Sequence, residues 1–190
     1  MKKSNHAVPI SRKKIKDKVQ GKAMVEAALE INHWCAGEVM YQGTDMRTGS
    51  ALEIYRSGVG RCGEEAVFVV NVMRSAGIPA RPVYVPRWSH CDDNHAWVEV
   101  WCDGDWHYLG ACEPEAVLDK GWFTNAASRA MMIGSRWYDR AMPDEKVIGK
   151  DGMNRIINLL GKYAKTRWIT ITVEDLDGTP AAGGKKYGLR

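Results

Sequence analysis

The chain has 190 residues, 45% hydrophobic and 26% charged, enough for one globular domain with a substantial core and too few for two complete ones. Its formal charge of +4 is concentrated in the first eighteen residues, where Lys2, Lys3, Arg12, Lys13, Lys14, Lys16 and Lys18 face Asp17 alone; the remainder balances 20 basic residues against 22 acidic ones. A near-neutral body has no phosphate-binding stripe, so no nucleic-acid partner is expected, and no stretch approaches the roughly 18 apolar residues of a membrane span.

In chain order, residues 1–20 are expected to be a basic, flexible N-terminal arm without the apolar h-region of a secretory signal, and residues 21–165 the main domain. The compartment stays open, since an upstream export signal could have been removed. From Lys22 to about Val39, the residues Met24, Ala27, Ala28, Ile31 and Cys35 recur at helical spacing and predict an amphipathic helix with Trp34 near its end. After a loop, a short helix over Ala51 to Ser57 runs into Gly58-Val59-Gly60-Arg61-Cys62-Gly63, whose three glycines permit close backbone approach to a ligand. Ala66, Val69, Val70 and Met73 then mark one face of a helix stopped at Ala76-Gly77 and Pro79, so that Cys62 stands at a helix N-terminus.

Strand signals follow over Ala80 to Val85, His95 to Cys102 and Asp105 to about Cys112. The Asp103-Gly104 turn sets a hairpin register in which Trp101 faces Trp106, and His95 shares a sheet face with Gly110 and Cys112. Beyond Pro114 the pattern weakens, although Trp122, Phe123 and the run from Ala130 to Ile133 suggest further core. Residues 166–190, with the alternating run from Arg167 to Glu174, are expected to be the start of a truncated β-sandwich module or a disordered tail.

The five cysteines, Cys35, Cys62, Cys91, Cys102 and Cys112, form no C-x-x-C pairs and are expected to be free thiols. Cys62 is set apart by its position, because the unpaired amides and dipole of a helix N-terminus favour a thiolate. Glu64 and Glu65 in the same turn would oppose that effect, and a neighbouring imidazolium is the usual remedy. His95, opening a strand after the polar loop Ser89 to Asn94, supplies an imidazole; a helix-borne Cys meeting a strand-borne His is an arrangement for acyl transfer. The amide of Cys62 and the indole N–H of Trp34 are candidate oxyanion donors.

Other readings of the same residues remain. His90, Cys91, His95 and Cys112 are good zinc ligands, but their spacing fits no standard metal pattern, and no metal is expected. The tryptophans in and beside the strands are read as core or cross-strand pairs, with Trp88 in the polar loop the one expected to touch a ligand. Arg61 is left unassigned.

The blocks Gly60-Arg61-Cys62-Gly63-Glu64, Gly77-Ile78-Pro79-Ala80-Arg81, Asn94-His95-Ala96-Trp97-Val98-Glu99-Val100 and Trp106-His107-Tyr108-Leu109 resemble the transglutaminase-like superfamily in order and spacing, over roughly Gly21 to Ile133. The Gly-Arg-Cys-Gly-Glu and Ala-Cys-Glu pieces are similar to those of peptide N-glycanases. The resemblance implies an α+β fold of papain-like type, with the Cys-bearing helix packed on an antiparallel sheet that carries the His. It implies a monomeric thiol hydrolase or acyltransferase working on a polypeptide or glycopeptide through a Cys62 thioester, with His95 as general base and acid and no cofactor.

One departure stands out. The family places an aspartate on the strand after the histidine, and here that position is Gly110. Glu113 is the favoured substitute if the chain bulges to turn it toward His95, with Asp92 and Asp93 as alternatives. A retired active site, surviving as a peptide- or glycan-binding module, is the competing expectation.

Overall fold

A computed structural model describes residues 9–43, 48–138 and 143–167, together with 174 and 176. The β-sandwich start or tail expected at the C-terminus lies almost wholly outside the described residues.

Three helices build one layer: α1 (Pro9–Val19), α2 (Met24–Glu38) and, after the short α3 (Ala51–Ser57), the central α4 (Cys62–Ser75). Two short strands, β1 (Met40–Tyr41) and β2 (Val59–Gly60), pair in parallel just ahead of α4. A six-stranded sheet follows from β3 (Ala80–Val85), β4 (His95–Cys102), β5 (Asp105–Leu109), β6 (Gly134–Trp137), β7 (Val147–Asp151) and β8 (Asn154–Asn158), with α5 (Thr124–Ala127) and α6 (Leu160–Tyr163) as single turns. The strand order is β5-β4-β3-β6-β8-β7, and every pairing is antiparallel. The fold is α+β, with helix α4 packed across β3 and β4.

The segment expected to be a flexible arm is helical from Pro9 to Val19. The reason is apolar: Ile15 is buried with Ala27, Ala28 and Ile31 in the helical layer, a gain of about 2 kcal/mol for one side chain, while Lys14, Lys16 and Lys18 are exposed.

Both faces of β4 are covered, and its alternation sorts two cores. Val98, Val100 and Cys102 face the helices with Val69, Met73 and Ile31. Trp97 faces the other way, into Val83, Val85, Phe123, Ile133 and Leu159. The β4–β5 hairpin closes with left-handed conformations at Asp103 (φ 53°) and Gly104 (φ 94°), and Trp101 pairs Trp106 with ring centroids 5.5 Å apart. Behind the hairpin, Arg81 is held by Glu99 at 2.6 Å and by Glu145 at 2.5 Å, and Tyr163 donates to Glu99 while receiving the indole N–H of Trp97.

Candidate active site

The loop that leads into Cys62 is fixed from three sides. Gly58, left-handed at φ 68°, ends α3, and the amides of Met40 and Gln42 donate to the carbonyls of Gly58 and Gly60. The Glu64 carboxylate accepts from the amide of Arg61 at 3.1 Å and from that of Gly49 at 3.0 Å, tying the preceding loop to the start of α4. A Cβ at Gly60 would stand 3.0 Å from Glu64 Cβ, so that approach needs glycine. Glu64 is therefore a scaffold residue, turned away from the sulfur.

Cys62 is half-buried. Burial pushes its thiol up from the ordinary range and Glu65 adds to this, whereas the backbone amides of Ala96 and Gly63 and the charge of Arg61 favour the thiolate. The contact with the Ala96 amide places the sulfur against the first residues of β4, beside His95. The amide of Cys62 bonds no carbonyl among the described residues, whereas those of Glu64 and Glu65 both donate to Arg61 O and that of Gly63 is directed at the sulfur. One N–H group at the N-terminus of α4 is therefore left beside the sulfur.

His95 is 6% exposed inside a ring of aromatic side chains: Trp122 at 4.7 Å between centroids, Phe123 at 5.0 Å, Trp97 at 5.9 Å and Trp88 at 6.3 Å. This desolvation lowers its pKa to about 4, with Asp93 opposing the shift. No hydrogen bond joins the thiol and the imidazole. Burial raises the thiol and lowers the imidazole, and so works against the thiolate–imidazolium pair expected from the sequence.

The third residue is set by a tight turn. Glu113 N–H donates to Gly110 O at 3.2 Å, and Cys112 adopts the left-handed conformation (φ 57°), so the chain doubles back on itself. The expected bulge is thus a turn. Glu113 Oε2 comes to 4.0 Å from His95 Nε2, and both atoms are buried with no hydrogen-bond partner. A Cβ added at Gly110 would overlap Glu113 Oε2 and stand 2.8 Å from Glu113 Cβ. With Nε2 directed at Glu113, Nδ1 is the nitrogen left for the thiol.

Asn32, 1% exposed on α2, clamps this turn from both sides. Its Nδ2 donates to Gly110 O at 2.9 Å, and its Oδ1 accepts from the amide of Cys112 at 3.0 Å. Trp122 Nε1 donates to Glu113 Oε1 at 3.0 Å, which leaves Oε2 for the imidazole.

The two tryptophans singled out by sequence take other places. Trp88 is only 4% exposed, because its amide bonds Asp93 O at 2.9 Å and folds the loop so that the ring packs on the His95 ring; it supports the imidazole from behind. Trp122, read as core, is 64% exposed and is the aromatic beside His95 that solvent can reach. Trp34 packs against Tyr55 and Phe68, each at 6.1 Å, and makes no hydrogen bond to the site among the described residues. Sequence reasoning missed Asn32, whose spacing marks it only as a polar residue in an apolar stripe, and the carboxyl of Glu65. The latter is 4% exposed beside Cys62, Cys112 and Glu113, and burial with the nearby Glu113 charge raises it to about 8. Among the described residues, no three His, Cys, Asp or Glu side chains gather as metal ligands.

The thiol thus stands at the start of a helix, with the imidazole at the head of β4 and the Glu113 carboxyl just beyond β5. Residues 13–111 match the model of the transglutaminase-like superfamily, and the chain belongs to that superfamily. Among solved structures, it is similar to a proposed cysteine protease from Cytophaga hutchinsonii, with 19% identity and TM-score 0.45 over 77% of this chain and 57% of that one. A proposed protease from Parabacteroides distasonis gives 17% identity and TM-score 0.49 over 66% of this chain and 25% of that one. LapG of Legionella pneumophila gives 16% and 0.46 over 57% and 65%. The chain thus spans between a quarter and just under two thirds of the lengths of these proteins. No curated protein matches it. Among the described residues no helix is long and apolar enough to cross a membrane.

Proposed function

We propose that the protein is a thiol-dependent amide hydrolase or acyltransferase acting on a polypeptide or glycopeptide, with Cys62 as nucleophile, His95 as general base and acid, and Glu113 as the group that orients the imidazole. The observation that carries this reading is the Gly110–Glu113 turn, which sets a carboxyl where the side chain of residue 110 would be, 4.0 Å from His95 Nε2. Leaving a carboxyl oxygen and an imidazole nitrogen buried without hydrogen-bond partners costs stability, which supports a role for the pair beyond the fold.

Neutral His95 takes the proton from the Cys62 thiol as sulfur attacks the carbonyl carbon, and Glu113 then stabilises the imidazolium. The Cys62 amide receives the developing oxyanion, and Trp34, packed on Tyr55 and Phe68, is not used as a second donor. His95 passes its proton to the leaving nitrogen as the C–N bond breaks, and a thioester remains. Water, or an amine in the transferase case, attacks the thioester with His95 again as base, which returns the thiol.

The burial that opposes a charged Cys62–His95 pair favours a second reading, a retired site that binds a peptide or glycan without turning it over. Alkylation of Cys62 by iodoacetamide between pH 4 and 9, mapped by mass and repeated in His95→Ala, separates them. The enzyme reading expects Cys62 to react faster than Cys35 or Cys102 and to slow in His95→Ala; equal, slow reaction of all three leaves the binding module.

A further inference from the structure

Beginning at the nucleophile, a groove of 570 Å³ runs along α4. Its near end is lined by Gly63 and Ala96, the two residues whose amides favour the Cys62 thiolate. The wall is a single stripe of α4 ending at Arg74, and the floor is Pro82, Val83 and Tyr84 of β3. From Gly63 to Arg74 the helix rises about 16 Å, the length of about five residues of extended chain. The middle is apolar, with Ala66, Val67, Val70 and Val83.

Among the described residues, the charged side chains that line the groove are Arg74, at the end of the stripe, and Arg136 of β6, and no described carboxylate joins them. Arg74 spends its Nε–H on Ala80 O at 2.9 Å, which leaves the outer nitrogens of its guanidinium. Arg136, exposed on β6, has no ion pair or hydrogen bond among the described residues and acts on the Tyr84 phenol, whose pKa is raised by burial and held down by that charge.

We infer that the groove binds an extended, largely apolar segment of polypeptide with an aspartate or glutamate about five residues from the reacting carbonyl, its carboxylate held by Arg136 and Arg74. A planar guanidinium meets a carboxylate with two parallel hydrogen bonds, and the apolar stripe between asks for small or aliphatic side chains. This inference rests on Cys62 being the reacting group, and it extends that reading to the class of substrate.

The test uses the whole chain with N-bromoacetyl peptides in which two to six alanines precede a C-terminal glutamate amide or glutamine amide. Sulfur displaces bromide at the N-terminal end, and mass mapping reads the rate at Cys62 without requiring turnover. The expected result is a maximum near four alanines at which the glutamate probe labels Cys62 about tenfold faster than the glutamine probe, a preference lost in Arg136→Gln and weakened by salt. Iodoacetamide should alkylate the parent and Arg136→Gln at equal rates. Equal labelling by both probes, or none by either, with a normal iodoacetamide reaction overturns the groove and leaves the thiol enzyme standing; iodoacetamide that fails to single out Cys62 overturns the enzyme reading itself.

Discussion

Glu113 occupies the space that a side chain on Gly110 would fill. The carboxyl of Glu113, three residues beyond Gly110, comes to 4.0 Å from the His95 imidazole through a turn whose tightness depends on the missing Cβ. The two residues are therefore coupled, and single substitutions at either are expected to mislead.

Gly110→Asp alone should be destabilising by about 1–3 kcal/mol, because its Cβ meets the Glu113 side chain. Glu113→Ala alone should leave the fold intact and slow Cys62 alkylation by about tenfold or more. The double variant Gly110→Asp/Glu113→Ala should fold better than Gly110→Asp and regain reactivity lost in Glu113→Ala. Additive effects in thermal melts and alkylation rates would show that the two side chains do not share one space.

Asn32→Leu removes both hydrogen bonds that clamp the turn and leaves Gly110 O and the Cys112 amide short of partners. A loss of about 2–4 kcal/mol is expected in urea unfolding, with slower Cys62 alkylation in the folded protein. Unchanged reactivity would separate the clamp from the site.

His95 should be neutral at pH 7 and titrate near pH 4 by imidazole NMR. Between pH 6.5, where the unfolded chain takes up the proton, and about 4, where the native state does, stability should fall by about 3 kcal/mol at most. It is fully retained above 6.5, and His95→Gln should flatten that part of the profile. A midpoint near 6.5 in the native protein contradicts the desolvated ring.

Glu65 acts in the opposite sense. Below pH 4.5 its carboxyl is protonated in both states and costs nothing; above about 8 it is ionised in both, and the native state bears the buried charge. The parent should lose stability as pH rises through that window, and Glu65→Gln should gain on it by about 3–5 kcal/mol at pH 8 and by little at pH 4.5. The readout is the difference between the two urea curves at each pH, and a gap that does not change with pH rules out the raised carboxyl.

Trp122→Phe keeps the ring beside His95 and removes the Nε1–H that holds Glu113 Oε1. Glu113 should then titrate still higher, since that bond lowers its pKa, and Cys62 alkylation should slow several-fold while thermal stability changes by less than about 1 kcal/mol. A variant as reactive as the parent shows that the turn alone positions the carboxyl.

The periodic apolar residues of α4, the Gly-rich approach to Cys62, the Asp103-Gly104 hairpin and the placing of His95 at the head of β4 were legible in the sequence, because each rests on local chemistry: helical spacing, turn conformations and strand alternation. Those signals also set the register that puts Gly110 on the His95 face. What the tertiary structure decided is how the chain folds over itself beyond that reach. The left-handed Cys112 that turns Glu113 back, the Asn32 clamp from 78 residues away on α2 and the exchange of Trp88 for Trp122 at the solvent edge depend on contacts between distant segments. So does the balance of charge: a helix N-terminus reads as a thiolate site in one dimension, and the burial of Cys62, His95 and Glu65, which opposes charge at each of them, arises only in three.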